Sequence, residues 1–486
     1  MDRVLRLFWE HRKGEKNPVK TKCMSGPDKL HEECGVFGIY NFDKSNIVPL
    51  MPFGLTALQH RGQESCGIAV SHNREVAYYK DTGLVSDVLT PNVILGLSGE
   101  MAIGHVRYST TGGTGRENAQ PIVSKYKKGT LSIVHNGNLS NGAKLRDELE
   151  NAGAVFHTTG DSELIAFLIA RERLHCGSVE EAVKRALPYV QGSYSLLVMS
   201  PQKLIAARDP NGFRPLCFGK KENAYVFASE SCALDAVGAE FIRDIEPGEI
   251  IAVTEEGFRV VKKGEGTAHH CIFEYIYFAR PDSVLDGISV IAAREKAGRL
   301  LARQHPVEAD LVIGVPESGI DAAMGYSLES GIPYGRGFIK NSYVGRTFIT
   351  PSQNDRDLGV RLKINPLREI ISGKRLVVVD DSIVRGTTCA RTIRMLKNAG
   401  AKEVHMRVAA PPFLWPCYFG TDIPDREHLT AVKHTIDEIR AEIGADTLGY
   451  LDLNSLHELV GSKEYCHGCF SGAYPVRVEN GNGSER

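Results

Sequence analysis

A hydrophobic run that ends in two aspartates constrains the fold of this 486-residue chain more than any other feature. Residues 376–392 read LVVVDDSIVRGTTCART, and four consecutive apolar residues are typical of a strand buried on both faces of a parallel sheet. Gly386 and the two threonines after it predict a turn into a helix. Because open parallel sheets bind their ligands beyond the carboxyl ends of the strands, the sequence predicts a binding site here.

The loop after this strand has the composition of a phosphate-binding loop. Backbone N–H groups at a helix start bind phosphate, and the hydroxyls of Ser382, Thr387 and Thr388 would assist them. Asp380 and Asp381 would face sugar hydroxyls. The Gly-Lys-Ser/Thr ending of a Walker A loop is absent. In the alternative interpretation, the two aspartates only cap the following helix.

Strands and helices alternate in the second part of the chain, residues 265–473. The segments in question are DLVIGVP, DAAMGYSLESG, PYGRGFI, KRLVVVDDS, GTTCARTIRMLKNAG and EVHMRVAAPP. This alternation predicts an α/β domain with a parallel sheet and crossover helices. Residues 474–486 are polar and are expected to form a flexible tail.

The first part, residues 34–264, has many short strand patterns and few helical ones. Strands are predicted in GVFGIY, CGIAV, MAIGHV, LSIVHNG, YSLLVMS, LIAARD and EIIAVT, and helices in GAKLRDELENAG and DSELIAFLIARER. Segregated strands and helices predict an α+β domain in which two stacked sheets are covered by helices.

The overall composition is ordinary for a globular protein. The net charge is −1, with 42% hydrophobic and 24% charged residues, so nothing favours nucleic acid or membrane as a partner. No run of eighteen apolar residues could span a bilayer. Residues 1–33 lack the apolar core of a secretion signal and are interpreted as a leader or a misassigned start, with Met24 as an alternative start. Asp2, Glu10 and Glu15 oppose a transit peptide.

Eleven cysteines without a secretion signal indicate reduced thiols in a cytoplasmic protein. Cys466 and Cys469 form a C-x-x-C pair, for which zinc, redox chemistry and coincidence all remain open. With Cys271 and Cys417, the pair could hold zinc or a [4Fe–4S] cluster. The cysteines interpreted as packing residues are Cys66, Cys217, Cys232 and Cys389.

Cys34 directly precedes a predicted strand in HEECGVFGIY. A lone cysteine of this kind is often an inert packing residue. It becomes a nucleophile if residues 1–33 are removed, because its own α-amino group, with a pKa of roughly 7.7–8, can then accept the thiol proton.

Five segments follow Cys34 in a fixed order and support the nucleophile. They are ALQHRGQESCGIAV, GHVRYSTTG, VHNGNLSN, TGDSEL and RDPNGFRPL. Together they resemble the glutamine amidotransferase domain of the N-terminal-nucleophile superfamily, which has an αββα sandwich fold.

The resemblance implies a role for each matching residue. Arg107 would pair with the α-carboxylate of glutamine, and Asp161 would accept a hydrogen bond from its α-amine. Asn136 and the backbone N–H of Gly137 would form the oxyanion hole. Glutamine would leave a thioester on Cys34 that water hydrolyses to glutamate.

The aspartate-bearing segment resembles the signature of type I phosphoribosyltransferases, which bind phosphoribosyl pyrophosphate and magnesium. The resemblance implies that Arg385 and Gly386 join the phosphate loop already described. VIGVPESGID (312–321) resembles the pyrophosphate loop, so that Ser318 would bind Mg²⁺ with the two aspartates.

GFIKNSYVGRTFITPSQ (337–353) resembles the flexible loop of the same family, which closes over the substrate. Lys340, Tyr343 and Arg346 would neutralise the departing pyrophosphate. Ser342 stands where members of the family usually carry a basic residue.

Both domains in this order resemble the glutamine phosphoribosylpyrophosphate amidotransferase family, in the branch that has a cleaved leader and an iron–sulfur cluster. The resemblance implies that phosphoribosyl pyrophosphate, glutamine and water yield 5-phosphoribosylamine, glutamate and pyrophosphate, the first committed step of purine synthesis. It also implies one Mg²⁺ and one [4Fe–4S] cluster per subunit, with Cys271, Cys417, Cys466 and Cys469 as ligands. Further implications are an apolar ammonia channel, feedback inhibition by AMP and GMP, and a homodimer or homotetramer.

Other functions fit the sequence less well. Glucosamine-6-phosphate synthase and asparagine synthetase resemble only the first domain. A non-catalytic RNA-binding regulator conflicts with the near-neutral charge and with the presence of Cys34, Arg107 and Asp161. An iron–sulfur electron carrier would not need two substrate sites.

Overall fold

The first part of the chain forms two antiparallel sheets, one of seven strands and one of six. The structure is a computed structural model that describes residues 34–108, 113–341, 364–421, 423, 425–461 and 464–477. The strands of this part are β1 (Gly35–Asn41), β2 (Ser65–His72), β3 (Glu75–Thr82), β4 (Met101–Arg107), β5 (Ile122–Tyr126), β6 (Gly129–Leu139), β7 (Gly192–Ser200), β8 (Lys203–Arg208), β9 (Cys217–Lys221), β10 (Ala224–Ala228), β11 (Glu240–Asp244), β12 (Ile250–Thr254) and β13 (Gly257–Lys262).

These strands are stacked as two layers between two layers of helices. A seven-stranded sheet has the order β11-β9-β10-β1-β4-β2-β3, and a six-stranded sheet has the order β13-β12-β8-β7-β6-β5. Apolar side chains such as Val36, Ile103 and Leu197 fill the space between the sheets. The helices of this part are Met51–Ala57, Val85–Val88, Pro91–Leu95, Gly142–Asn151, Ser162–Arg173, Val179–Ala186 and Ser231–Val237, with short 3₁₀ helices at Val48–Leu50, Arg116–Asn118 and Leu187–Tyr189.

Separate apolar cores join each sheet to its helices, which confirms the predicted αββα arrangement. All seven predicted strands and both predicted helices are present. The alternation along β1 explains the layering, because Val36 faces the other sheet and Phe37 faces the helices.

The second part contains the strands β14 (His270–Cys271), β15 (Val284–Leu285), β16 (Ile288–Ser289), β17 (Leu311–Gly314), β18 (Phe338–Lys340), β19 (Ile364–Pro366), β20 (Arg375–Asp380), β21 (Glu403–Val408), β22 (Thr447–Tyr450) and β23 (Tyr465–Cys466). As the sequence predicts, it includes a parallel sheet of four of these strands, in the order β17-β20-β21-β22. Its helices are Glu274–Phe278 (a π-helix), Val290–Gln304, Ile320–Ser330, Arg368–Ile371, Thr387–Asn398, Thr430–Lys433, Ile436–Ile443, Leu456–Val460 and Gly468–Ser471, with 3₁₀ turns at Arg426–His428 and Leu453–Ser455.

Strand β20 is buried on both faces, which explains its unbroken apolar run. Val377 and Val379 pack into one core with the helix Val290–Gln304. Leu376 and Val378 pack into the opposite core with the helix Thr387–Asn398.

The prediction for PYGRGFI is wrong in part, because this segment does not add a full strand to the parallel sheet. It touches the sheet through a single bridge between Tyr334 and Val312. Pro333 has no N–H to donate, and the nearby glycines weaken extended pairing. Only its end forms a strand, β18, which pairs with β19 in a separate ribbon.

Two small pairs of strands lie where the two parts meet. β14 pairs in parallel with β23, so the junction is tied to the C-terminal segment, and β15 pairs with β16 as a short hairpin. Among the described residues, no helix has both the length and the hydropathy needed to cross a membrane.

Candidate active site

A single pocket gathers most of the residues predicted to bind glutamine. Cys34, Arg107, Gly137 and Asp161 all line it, although they come from separate segments of the sequence. The complete lining is Cys34, Arg107, Tyr108, Asn118, Gln120, Ile122, His135, Gly137, Thr158, Gly160, Asp161 and Ser162.

Strand pairing explains why Cys34 and Arg107 meet. Gly35 lies opposite Val106 in the β1–β4 pair, which brings the residue before β1 beside the last residue of β4. Cys34 is 9% exposed, and its thiol donates to the carbonyl of Tyr108 at 3.3 Å. The Arg107 guanidinium is buried and donates to the carbonyl of Gly113 at 3.0 Å.

Asn136 and Gly137 lie in β6, with features expected of oxyanion donors. Asn136 is 1% exposed, and its Nδ2 makes no hydrogen bond to any residue that the structure describes. Gly137 has φ of +145°, and a Cβ there would lie 2.2 Å from the carbonyl oxygen of Ser193. Glycine is therefore required at this position.

Asp161 is held in the pocket by hydrogen bonds from β6. Its Oδ2 accepts the N–H of Leu139 at 3.0 Å, and its Oδ1 lies 3.5 Å from Nδ1 of His135. Burial alone would raise the pKa of Asp161, but His135 and the backbone hydrogen bonds lower it overall. A charged carboxylate is therefore available for an ammonium group.

Sequence reasoning missed three residues that support this pocket. The Gln120 amide accepts from the N–H of His135 at 2.7 Å and donates to Ser162 Oγ at 3.1 Å. Nδ1 of His135 also lies 3.1 Å from Ser162 Oγ. His135 lies in the motif VHNGNLSN and Ser162 lies in TGDSEL, but neither motif gave these two residues a role. Gln120 lies in no motif.

His105 is a further buried residue behind the pocket. Its Nε2 lies 3.0 Å from the carbonyl oxygen of His135, so that it supports β6 next to Asn136. Burial lowers the pKa of His105 to about 3, and the imidazole is therefore neutral at neutral pH. The segment GHVRYSTTG contained this residue, but the motif gave it no role.

The structure also brings together the predicted magnesium ligands. Ser318 Oγ donates to Oδ2 of Asp381, and Ser382 Oγ donates to its Oδ1. Asp380 and Asp381 are each 6% exposed at the end of β20. Carboxylates and hydroxyls are hard oxygen donors, so this set fits Mg²⁺.

The predicted phosphate loop has the expected form. Gly386 has φ of +85° and directly precedes the helix Thr387–Asn398. Thr387 is exposed, while Arg385 and Thr388 are half-buried. The N-terminal N–H groups of this helix are thus presented beyond the carboxyl end of β20.

Lys340 lies at the end of β18, where the predicted flexible loop begins. Its Nζ is 3.4 Å from Oε1 of Glu317, so the loop base reaches the predicted pyrophosphate loop. Tyr343 and Arg346, like Ser342, lie outside the described residues.

Four cysteines lie together where the two parts of the chain meet, and we call them the junction cysteines: Cys271, Cys417, Cys466 and Cys469. Cys271 lies opposite Cys466 in the β14–β23 pair, and the carbonyl of Cys469 accepts the N–H groups of residues 414 and 415 at 3.1 Å each. Burial, followed by the proximity of Cys417 and the other two thiols, raises the pKa of Cys469 well above its ordinary value. Burial raises the pKa of Cys466 to about 12.

No disulfide joins any of the ten cysteines that the structure describes. The four assigned to packing are buried, and burial raises the pKa of Cys66 to about 12. Cys176 is half-buried, and sequence reasoning gave it no role.

Comparisons with known proteins agree with both halves of this description. Residues 105–236 match the family model of the glutamine amidotransferase domain, and residues 282–411 match that of the phosphoribosyl transferase domain. The amidophosphoribosyltransferase of Methanocaldococcus jannaschii is 48% identical, over 92% of this chain and 98% of the relative. That of Archaeoglobus fulgidus is 50% identical, with the same coverage.

A solved structure has the same architecture over most of its length. The glutamine phosphoribosylpyrophosphate amidotransferase of Bacillus subtilis, in complex with ADP and GMP, matches with a TM-score of 0.86 and 44% identity. The match covers 92% of this chain and 98% of that one.

Fold and pocket together define an enzyme that joins a glutamine amidotransferase domain to a phosphoribosyltransferase domain. With relatives at this identity over almost their entire length, the chain belongs to the amidophosphoribosyltransferase family. Its reaction converts phosphoribosyl pyrophosphate, glutamine and water to 5-phosphoribosylamine, glutamate and pyrophosphate in purine biosynthesis.

Proposed function

We propose that Cys34 is the nucleophile that releases ammonia from glutamine. The observation that carries this proposal is the pocket that brings Cys34, Arg107 and Asp161 together with Gly137 of β6. The thiol attacks the amide carbon, and its proton passes to the α-amine of Cys34 once residues 1–33 are removed. The α-ammonium group then returns this proton to the leaving nitrogen, so that neutral ammonia departs, and water hydrolyses the thioester to glutamate and the free thiol.

The other pocket residues bind the substrate and stabilise the transition state. Arg107 pairs with the α-carboxylate of glutamine, and Asp161 accepts from its α-amine. Asn136 Nδ2 and the N–H of Gly137 stabilise the tetrahedral oxyanion, which is consistent with the open donor on Asn136.

The second site uses the ammonia. Asp380 and Asp381 bind the ribose hydroxyls, and the loop of Ser382, Arg385, Gly386, Thr387 and Thr388 binds the 5-phosphate. Ser318, Asp380 and Asp381 would hold Mg²⁺, which would supply positive charge to neutralise the pyrophosphate. In the proposed closed state, Lys340, Tyr343 and Arg346 contact the leaving pyrophosphate, and an apolar channel carries the ammonia.

Replacement of the nucleophile tests this assignment. Cys34→Ala should lower glutamine-dependent synthesis of phosphoribosylamine by at least about 10³-fold, because no thioester can form. Synthesis from added ammonium salt should be unchanged, and Cys176→Ala is the matched control. Glutamine-dependent turnover at the wild-type rate in Cys34→Ala would reject the proposal. N-terminal sequencing of the active protein should begin at Cys34.

The junction cysteines are proposed to hold a [4Fe–4S] cluster. Around zinc, with Zn–S bonds of roughly 2.3 Å, four sulfurs would lie about 3.8 Å apart. Among the described residues, the three-residue group with ligand atoms within 4.8 Å of one another is Asp425, Glu427 and His428, not the cysteines. Any three of the four sulfurs therefore include a pair more than 4.8 Å apart, which favours an iron–sulfur cluster over a single zinc ion. Iron content and the visible absorption of anaerobically purified protein test this assignment.

Regulation, assembly and domain limits complete the proposal. AMP and GMP would inhibit the enzyme, which is supported by the B. subtilis relative in complex with ADP and GMP. We propose a cytoplasmic homodimer or homotetramer, with a leader at 1–33, domains at 34–264 and 265–473, and a tail at 474–486. Inhibition assays and sedimentation at micromolar protein test the nucleotide and the oligomer assignments.

A further inference from the structure

Two backbone carbonyls from the second part of the chain contact strands β6 and β7 of the first, next to the proposed oxyanion donors. Ser193 Oγ donates to the carbonyl of Phe419 at 2.8 Å, and Asn138 Nδ2 donates to that of Tyr418 at 3.0 Å. Ser193 Oγ in turn accepts the N–H of Asn138 at 3.0 Å. We call these four residues the interdomain clamp.

The clamp acts directly beside the oxyanion donors. Asn138 follows Gly137 in β6, and Ser193 is its partner in the neighbouring strand β7. The backbone at Ser193 also approaches Gly137 so closely that no Cβ fits between them. A shift of Ser193 or Asn138 therefore moves the N–H of Gly137.

A buried ion pair fixes the other side of the clamp. Arg214 donates to the carbonyl of Phe419 through Nε at 3.0 Å and through Nη2 at 2.5 Å. Its Nη1 lies 3.3 Å from Oε1 of Glu274, which also pairs with Arg61. The Phe419 ring stacks on Phe213 with 4.2 Å between centroids. The 418–419 carbonyls are thus held by buried charged and aromatic groups.

We propose that Ser193 and Asn138 are positioning residues for glutamine hydrolysis, and that the second domain holds the oxyanion donors in place because the carbonyls of Tyr418 and Phe419 accept hydrogen bonds from these two side chains. Oxyanion donors act only when they are aimed at the developing charge. Loss of the clamp therefore lowers turnover and leaves glutamine binding nearly intact. This inference rests on the proposed oxyanion role of Asn136 and Gly137.

Two variants of the full-length mature enzyme test the clamp. Ser193→Ala and Asn138→Ala should each lower kcat for glutamine hydrolysis about 10-fold, with KM for glutamine within about twofold of wild type. Synthesis from ammonium salt should be unchanged in both. Asn138 is only half-buried, so its variant should fold even if Ser193→Ala does not. The matched control is Ser132→Ala, a buried serine of β6 that does not line the pocket, which should keep wild-type kcat.

Asn136→Ala separates the inference from the proposed function. The clamp is rejected if Asn136→Ala has a lowered kcat while both clamp variants keep the wild-type kcat. It is also rejected if the clamp variants raise only KM for glutamine. If Asn136→Ala itself keeps wild-type kcat, the proposed oxyanion hole is rejected. In the double variant Asn136→Ala/Ser193→Ala, the loss of kcat should be smaller than the product of the two single losses, because both residues act on one oxyanion hole. A fully multiplicative loss would assign Ser193 a merely structural role.

Discussion

The glutamine pocket and the ribose-phosphate site hold their polar groups in different ways. In the glutamine pocket, neutral groups such as Gln120 and His105 fix the backbone of β6 through buried hydrogen bonds. In the ribose-phosphate site, two consecutive aspartates are buried at the end of β20, and Asp381 accepts hydrogen bonds from the uncharged hydroxyls of Ser318 and Ser382. The first site is preorganised by the protein alone, whereas the second fits a cation as part of its structure.

The largest effect should follow from loss of charge at the ribose-phosphate site. Asp381→Asn should lower phosphoribosylamine synthesis by about 10³-fold, from glutamine and from ammonia alike, because the magnesium site loses a negative ligand. The measurement is the rate of synthesis against Mg²⁺ concentration. Asp437→Asn, at a side chain that is 92% exposed, is the control. Wild-type magnesium dependence in Asp381→Asn would contradict the assignment of a cation to Asp381 in the ribose-phosphate site.

Preorganisation of the glutamine pocket can be tested at Gly137. Gly137→Ala should lower kcat for glutamine hydrolysis about 10²-fold and reduce stability by about 2 kcal/mol, because the methyl group would displace Ser193 or β6. Gly129→Ala is the matched control, since Gly129 lies in the same strand with φ of +122° and a methyl group there would meet nothing within 4 Å. Equal kcat values in the two variants would contradict the requirement for close approach.

An effect of intermediate size is expected from loss of the charge-assisted hydrogen bond at Asp161. Asp161→Asn should raise KM for glutamine about 30-fold, because the substrate ammonium group loses its anionic partner. Since the pKa of Asp161 is below its ordinary value, the carboxylate stays charged at neutral pH and is lost only as the pH falls through that lowered pKa.

The acid limb of kcat/KM for glutamine should therefore report another group. We expect this limb at a pKa of roughly 7.7–8, from the α-amine of Cys34, and it should persist in Asp161→Asn. Rate–pH profiles of the two proteins from about pH 5 to about pH 9 provide the measurement. If the limb disappeared in Asp161→Asn, the amine would not be the base.

Local sequence patterns predicted the layers of this fold. The contacts between segments that lie far apart in the sequence could not be predicted in this way. The apolar run at 376–379 predicts a strand buried on both faces, and β20 is such a strand. The contact of Ser193 with Phe419 joins residues 226 positions apart. Ser193 lies in an ordinary strand sequence and Phe419 in an ordinary loop sequence, so nothing in the neighbouring residues indicates that they meet. Gln120 was missed for the same reason, because its partners come from another strand and from the start of a helix.

The smallest effect should come from the phosphate loop, where many donors share one ligand. Thr387→Val should raise KM for phosphoribosyl pyrophosphate only about 3-fold and leave kcat unchanged, because Thr387 is exposed and the backbone N–H groups of the helix remain. Thr392→Val, further along the same helix, is the control, since its Oγ bonds to the carbonyl of Thr388 at 3.0 Å within the helix. A loss above about 100-fold in Thr387→Val would make one hydroxyl as important as a charged ligand and would bring the two sites closer in character.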